Sequence, residues 1–361
     1  MHKEQISDKE AICIVILFIM GSTLIMGIAG EAKNDAWLAA IVGMLFSVPM
    51  LFVYSRIVSI FPGKDLFEIL NIVFGKLIGK LVSLVYIWYS FHLGVLVTRN
   101  FGEFVNTLAM PGTPMFVILF SLGLVCIVAV RLGIEVIGRM SAYLLVPVLV
   151  IIIFVQLMAI PQFHFNYIKP ILYNGFTPVL KAGFSAFTFP FAETVIFIGV
   201  LFALKTKKSS MKVYFSGLSF AGTVIVILTI RNIVILGKSI GMLYFPSHLA
   251  VSQIAVGDFL QRIEVTVAFV FATAAFTKIS VCLFVACRGI GRVFNLSDYR
   301  SVVIQTGLLM IYLSYFIYDN IMEMRNWAFN IYMYYAIPFQ VIVPVIVWIF
   351  AEIKNRKVGK Y

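Results

Sequence analysis

Charge is scarce in this chain. Only 12% of its 361 residues are Asp, Glu, Lys or Arg, against ~25% in a soluble globular protein. That shortage, with 61% hydrophobic residues and a mean hydropathy of +1.02, excludes a chain wetted on all sides. Cysteine is nearly as rare. Cys13, Cys126, Cys282 and Cys287 all fall within apolar runs, which argues against a disulfide framework and favours small buried hydrophobes. Histidine occurs four times, and no H-E-x-x-H, Walker loop or Cys/His metal spacing appears. Acids are outnumbered, 16 to 28, for a net charge of +12. The bases lie in short clusters between apolar runs rather than on one patch, so a nucleic-acid surface is not indicated. Two short matches to serine-hydrolase patterns lack their context. Gly237-Lys238-Ser239-Ile240-Gly241 has no strand before it. Gly183-Phe184-Ser185-Ala186 has no histidine base near it, His92 being the only one deep in a span. No catalytic residue, cofactor or metal site is expected.

What is present is a series of long apolar runs. Runs of ~20 residues are long enough to cross a bilayer as helices. Ten occur: about 11–30, 36–60, 81–108, 113–130, 140–160, 181–204, 213–236, 263–286, 301–319 and 333–353. The first is longer than a signal-peptide core and is not preceded by a net basic segment, so it is read as span one. Lysine and arginine placement orients the set. With the N-terminus cytoplasmic, inside segments hold 19 basic residues and outside segments 6, with Arg99, Arg231 and Lys278 inside spans. Both ends are therefore expected in the cytoplasm. The loop 61–80 places Leu66, Ile69, Leu70 and Val73 on one face and is expected to form a short interfacial helix ended by Gly75 and Gly79.

Span six breaks the pattern. KAGFSAFTFPFAETVIFIGVLFAL, at 181–204, carries Pro190 and Glu193 near its middle. Proline cannot sit unstrained in a helix interior, and it pushes Phe189 away from the α region. An acid at that depth costs at least ~2.5 kcal/mol on the insertion scale and calls for a partner or a task. Phe187, Thr188, Phe189 and Glu193 are therefore candidate ligand-binding residues on a broken helix. Span one has Gly21-Ser22-Thr23 at its centre, which reads either as close helix packing or as a second break exposing backbone N–H groups to an anionic ligand. Lys278, at mid-depth in span eight, needs an anionic or carbonyl partner, and Glu193 is the one we name; the alternative is snorkelling to the cytoplasmic face. Cys282, four residues on, is placed with the same site. Arg99 and Glu103, at i and i+4 on span three, read as a structural charge pair. His92 reads as a core residue. Pro246 and LAVSQIAVGDFL predict a short helix over the outer entrance, and Tyr332, Tyr334 and Tyr335 an interfacial belt.

Each set of five spans would open on a break. An odd number of crossings per set inverts one relative to the other, and paired breaks in an inverted repeat point to a transporter-type site. The expected domain is single, 1–361, with repeats at about 11–160 and 181–353.

Several stretches carry a resemblance: FPGKDLFEILNIVFGKLIGK after span two, TRNFGEF at 98–104, NYIKPILYNGFTP at 166–178, FPFAE in span six, LQRIE at 260–264 and FTKIS in span eight. Together they resemble the B-subunit permease-like proteins of bacterial spore germinant receptors, a branch of the amino acid–polyamine–organocation superfamily. The resemblance implies an all-α membrane protein of LeuT-like fold with broken helices one and six, and a site for a small germinant such as an amino acid among spans one, three, six and eight. It also implies receptor partners, an A membrane subunit and a C lipoprotein, in the lipid bilayer of the spore inner membrane. By position, Gly21 resembles the glycine of the first break, Glu193 the acid after the second, and Lys278 the inward position of span eight. Relatives often carry G-x-G at the first break, where this chain has Gly21-Ser22-Thr23. A secondary amino acid transporter needs the same cavity and is the alternative.

Overall fold

The computed structural model describes residues 4–206, 208–254 and 263–358. LQRIE and the end of LAVSQIAVGDFL fall largely outside these, as do Lys3, Lys207, Arg262 and Lys360 of the charge census. Among the described residues there are helices and no extended strands. Eight helices are long and apolar enough to cross a membrane. They correspond to spans two to eight and ten. The other two expected spans are shorter pieces. Span one is split into Asp8–Met20 and Thr23–Met26, and span nine is the 14-residue helix Val303–Phe316.

Local chemistry sets the breaks. Span one starts on a capping box in which Ser7 accepts from Glu10 N and the Glu10 carboxylate accepts from Ser7 N, satisfying two orphan donors. It ends at Gly21, whose φ of +21° and ψ of −131° cannot continue a helix. Span six runs as Thr177–Ala186, opens into the π turn Phe187–Phe191, and tightens to a 3-10 helix over Ala192–Gly199. Phe189 has φ −135° and ψ 105°, the extended geometry required ahead of a proline. The Phe189–Pro190 peptide bond is cis. Span six is held close to span two through small residues: a Cβ on Gly43 would stand 2.7 Å from Ala186 Cβ and 2.8 Å from the Gly183 carbonyl.

Span eight, Glu264–Val293, is the central post. It packs against spans one, three, four and five. Span three, Lys76–Phe104, lies beside it, and span ten is interrupted by π turns at Trp327–Ile331 and Pro338–Ile342. The expected interfacial helix is Leu66–Phe74, with Leu66, Ile69 and Leu70 buried, a capping box from Asp65 and Glu68, and Gly75 at φ +81° ending it. The predicted helix over the entrance is Pro246–Ser252.

Both described chain ends lie at one end of the bundle, here termed the basic end. There Ile6 forms a parallel bridge with Leu204: Ile6 N donates to Ala203 O at 2.8 Å and Lys205 N donates to Ile6 O at 3.0 Å. The segment before span one is thereby tied to the segment after span six. Buried Asp65 accepts from both Arg288 and Arg292 at 3.0 Å. Glu4 meets Arg288 at 3.4 Å and Arg300 at 3.3 Å, and accepts from the Tyr299 hydroxyl at 2.7 Å. This cluster joins the N-terminal segment, the interfacial helix and the end of span eight.

Candidate functional site

The two breaks meet at Lys278. Its side chain rises from span eight and passes over Gly21, where a Cβ would lie 2.8 Å from Lys278 Cδ and 2.9 Å from the Phe18 carbonyl oxygen. Glycine is needed at that point both for its backbone and for the lysine above it. Lys278 Nζ donates to Glu193 Oε2. Both side chains are 0% exposed, so the lysine does not snorkel. The ammonium also faces two aromatic rings, 4.9 Å from the centroid of Phe18 and 5.4 Å from that of Phe189. Ring faces are electron-rich, and they stabilise a desolvated cation by about 2 kcal/mol or more. One acid and two rings from the two broken helices thus enclose one ammonium.

The other carboxylate oxygen is also occupied. Tyr332 of span ten donates to Glu193 Oε1 at 2.7 Å. The Tyr332 hydroxyl lies 3.2 Å from that of Tyr89 in span three. Gln340 Nε2 donates to Tyr89 at 2.8 Å and to the Thr188 carbonyl at 2.9 Å, while the main-chain carbonyl of Gln340 accepts from Tyr54 of span two at 2.5 Å. A buried polar chain therefore runs from span eight through spans six, ten and three, and returns to the π turn of span six. Sequence reasoning missed most of it. Tyr332, assigned to the interfacial belt, is 3% exposed and belongs to this network; Tyr334, 64% exposed, keeps a surface position. The available signal was Gln340, a lone amide in an apolar run, eight residues from Tyr332 and so on the same helical face.

The Ser22, Thr23 and Thr188 hydroxyls and the Phe187 and Thr188 carbonyls already have partners. Thr23 Oγ1 donates to the carbonyls of Met20 at 2.5 Å and Ile19 at 3.2 Å. Ser22 Oγ accepts from Asn100 of span three at 3.3 Å. The Phe187 carbonyl accepts from Ala192 N, and Thr188 Oγ1 donates to Ser185 O at 3.0 Å. Cys282 is buried against Gly94 of span three, where a Cβ would lie 3.2 Å from Cys282 Cβ. Gly21, Ser22, Thr23, Phe189, Glu193 and Lys278 gather where the breaks face span eight. Cys282 sits one turn along span eight, on the side facing span three.

Arg99, His92 and Arg231 make their contacts away from this cluster. Arg99 donates to Glu103 at 2.7 to 2.9 Å and to the carbonyls of Ser314 at 3.2 Å and Tyr315 at 2.6 Å. It thereby satisfies the open end of span nine as well as its own acid. His92 stacks on Trp88 and packs edge-on to Trp327 and Tyr335. Arg231 donates to Asn232, which donates to Ser247 beneath the Pro246–Ser252 helix. At the end opposite the basic one, a cavity of about 280 Å³ is lined by Gly27, Glu31, Asn232, Tyr244 and Arg325 among others, with no contribution from Gly21, Ser22, Thr23 or Glu193. Arg325 donates across its rim to the carbonyls of Gly241 and Met242.

A bundle of apolar helices, two of them broken where a buried ion pair sits, defines an integral membrane protein of LeuT-like fold. Solved structures agree on the fold. The chain is similar to MhsT in complex with L-phenylalanine, with a TM-score of 0.66 at 13% identity over 97% of this chain and 89% of that one. It is equally similar to a nucleobase-cation-symport-1 family transporter in a closed conformation with bromovinylhydantoin bound, with a TM-score of 0.66 at 12% identity over 89% and 75% of the two chains. The chain belongs to the spore germination protein family, whose pattern it matches over residues 5–320. It is 28% identical to spore germination protein KB of Bacillus subtilis (strain 168), over 99% of this chain and 97% of that protein.

Proposed function

We propose that the chain is the ligand-sensing, permease-like subunit of a spore germinant receptor, and that a small germinant such as an amino acid binds where spans one and six break. The observation that carries this reading is the fully buried Glu193–Lys278 pair between the two breaks. Ionisable groups at this depth are costly, and their retention marks ligand or ion pathways. Gly21, Ser22 and Thr23 would face an anionic group of the ligand. Phe187, Thr188, Phe189 and Glu193 would face its amine, with Lys278 and Cys282 completing the wall from span eight. Because the Ser22, Thr23 and Thr188 hydroxyls and the Phe187 and Thr188 carbonyls are already bonded, a ligand that uses them requires the breaks to rearrange. The ligand then favours one of two conformations by its differential affinity for them. No step of this needs a catalytic residue or a cofactor.

The reading extends to assembly. One domain, 1–361, is built of inverted repeats at about 11–160 and 181–353, with ten crossings and both termini in the cytoplasm. It sits in the spore inner membrane and hands its altered surface to an A membrane subunit and a C lipoprotein. A thermal-shift panel of amino acids, nucleosides and sugars on the purified protein tests the site. A ligand at ~100 times its dissociation constant stabilises the fold by about 2.7 kcal/mol. Glu193→Gln is expected to abolish that shift; an unchanged affinity in this variant overturns the assignment. The transporter-like fold favours a second reading, in which the same site moves its ligand across the membrane. Saturable uptake into proteoliposomes supports transport, and binding without flux supports the receptor.

A further inference from the structure

The subsite at the breaks already holds an ammonium ion, and the chain itself supplies it. Lys278 is 0% exposed. Its nitrogen has a carboxylate oxygen on one side and the faces of Phe18 and Phe189 at 4.9 and 5.4 Å. The second carboxylate oxygen is taken by Tyr332. The lysine stem lies on Gly21, the one residue type that leaves room for it. Acid, two ring faces and a steric floor make a cage for a primary ammonium group. Both oxygens and both rings are in use, so an incoming amine finds no free partner there.

We propose that this cage is a primary-ammonium subsite and that Lys278 is its resident occupant. An amine-bearing ligand and the Lys278 ammonium then exclude each other. This rests on the reading that ligands bind at the breaks, and it adds what holds the site shut. A ligand bearing an amine must displace Lys278 before Glu193 can receive it. Its apparent affinity is therefore lowered by the fraction of molecules in which the lysine has left.

Lys278→Ala removes the atoms Cγ, Cδ, Cε and Nζ, the heavy atoms of n-propylammonium. The experiment adds n-propylammonium, with n-propanol as the uncharged control, to purified wild-type, Lys278→Ala and Lys278→Met/Glu193→Gln proteins and follows their melting temperatures. Expected is a lowered melting temperature in Lys278→Ala that rises saturably with n-propylammonium and not with n-propanol. Wild type and the uncharged double variant are expected not to respond. Lys278→Ala that responds equally to both additives, or to neither, overturns the proposal. If Lys278→Ala folds only when extracted in n-propylammonium, the proposal stands. If it folds in neither condition while the double variant folds, the proposal falls. The receptor reading fails separately: it falls if no compound of the amino acid, nucleoside and sugar panel shifts wild type, even where n-propylammonium fills the cage of Lys278→Ala.

Discussion

Tyr332 donates its phenolic hydrogen to Glu193 Oε1 over 2.7 Å, and so holds the carboxylate oxygen that Lys278 does not. The bond fixes the rotation of the Glu193 carboxylate and presents Oε2 to the ammonium. Tyr332→Phe leaves the ring in place and removes the donor. It is expected to destabilise the fold by about 1–3 kcal/mol, the cost of leaving a buried acceptor unsatisfied. Chemical denaturation in detergent measures this, and no loss would mean that Glu193 finds a replacement donor.

The Lys278–Glu193 pair itself should behave asymmetrically. Removing one partner strands a buried charge and costs about 3–5 kcal/mol, whereas replacing both by uncharged residues of similar volume is close to neutral. Glu193→Gln and Lys278→Met are each expected to lower the melting temperature strongly, and the double variant to recover most of the loss. Additive losses in the double-mutant cycle would show that the two groups are not coupled.

Gly21→Ala tests the first break. A non-glycine residue at positive φ costs about 1–3 kcal/mol in a strained region, and its Cβ would also press on Lys278 Cδ and the Phe18 carbonyl. The substitution is expected to destabilise the protein and to loosen the Lys278–Glu193 contact. Ser22→Ala, one residue on, leaves the buried Asn100 amide without this acceptor and should cost about 1–3 kcal/mol, less than Gly21→Ala, which adds backbone strain to a steric clash. Equal losses at the two positions would argue against the steric role of Gly21.

Arg99 separates structure from ligand recognition. Arg99→Met strands Glu103 and frees the carbonyls of Ser314 and Tyr315, so a loss of about 3–5 kcal/mol is expected. Arg99→Met/Glu103→Gln should be less harmful, and where it folds it should keep the wild-type ligand response. A changed ligand specificity in that variant would place the pair in the site.

At the basic end, Asp65 does two jobs: it caps the Leu66–Phe74 helix and accepts from Arg288 and Arg292. Asp65→Asn keeps a capping oxygen and removes the charge, while Asp65→Ala removes both. The difference between the two variants isolates the cap, at about 1 kcal/mol. Limited proteolysis near residues 4–6 is expected to rise in both if the charge cluster anchors that segment.

The sequence made legible what rests on composition and local rules. The apolar runs, the break forced by Pro190, the amphipathic turn at Leu66–Phe74 and the need of Lys278 for an acid all follow from a few neighbouring residues. Two kinds of feature were out of reach. Span nine is a 14-residue helix whose last carbonyls are met by Arg99 from another span, which no local window reveals. The long-range polar chain was also hidden, since Tyr332 and Gln340 acquire meaning only when span ten lies against spans three and six. Thr23 shows a third case. Its hydroxyl was available to a ligand on paper, yet the break it flanks left carbonyls of its own to satisfy, and those lie closer.

The bridge between Ile6 and Leu204 gives the two broken helices a shared root. Span one is entered and span six is left through a single pair of backbone hydrogen bonds, with Glu4 bound to Arg288 and Arg300 alongside. Spans one and six therefore work like two blades on one rivet. The backbone pairing that sets where span one begins also sets where the chain leaves span six.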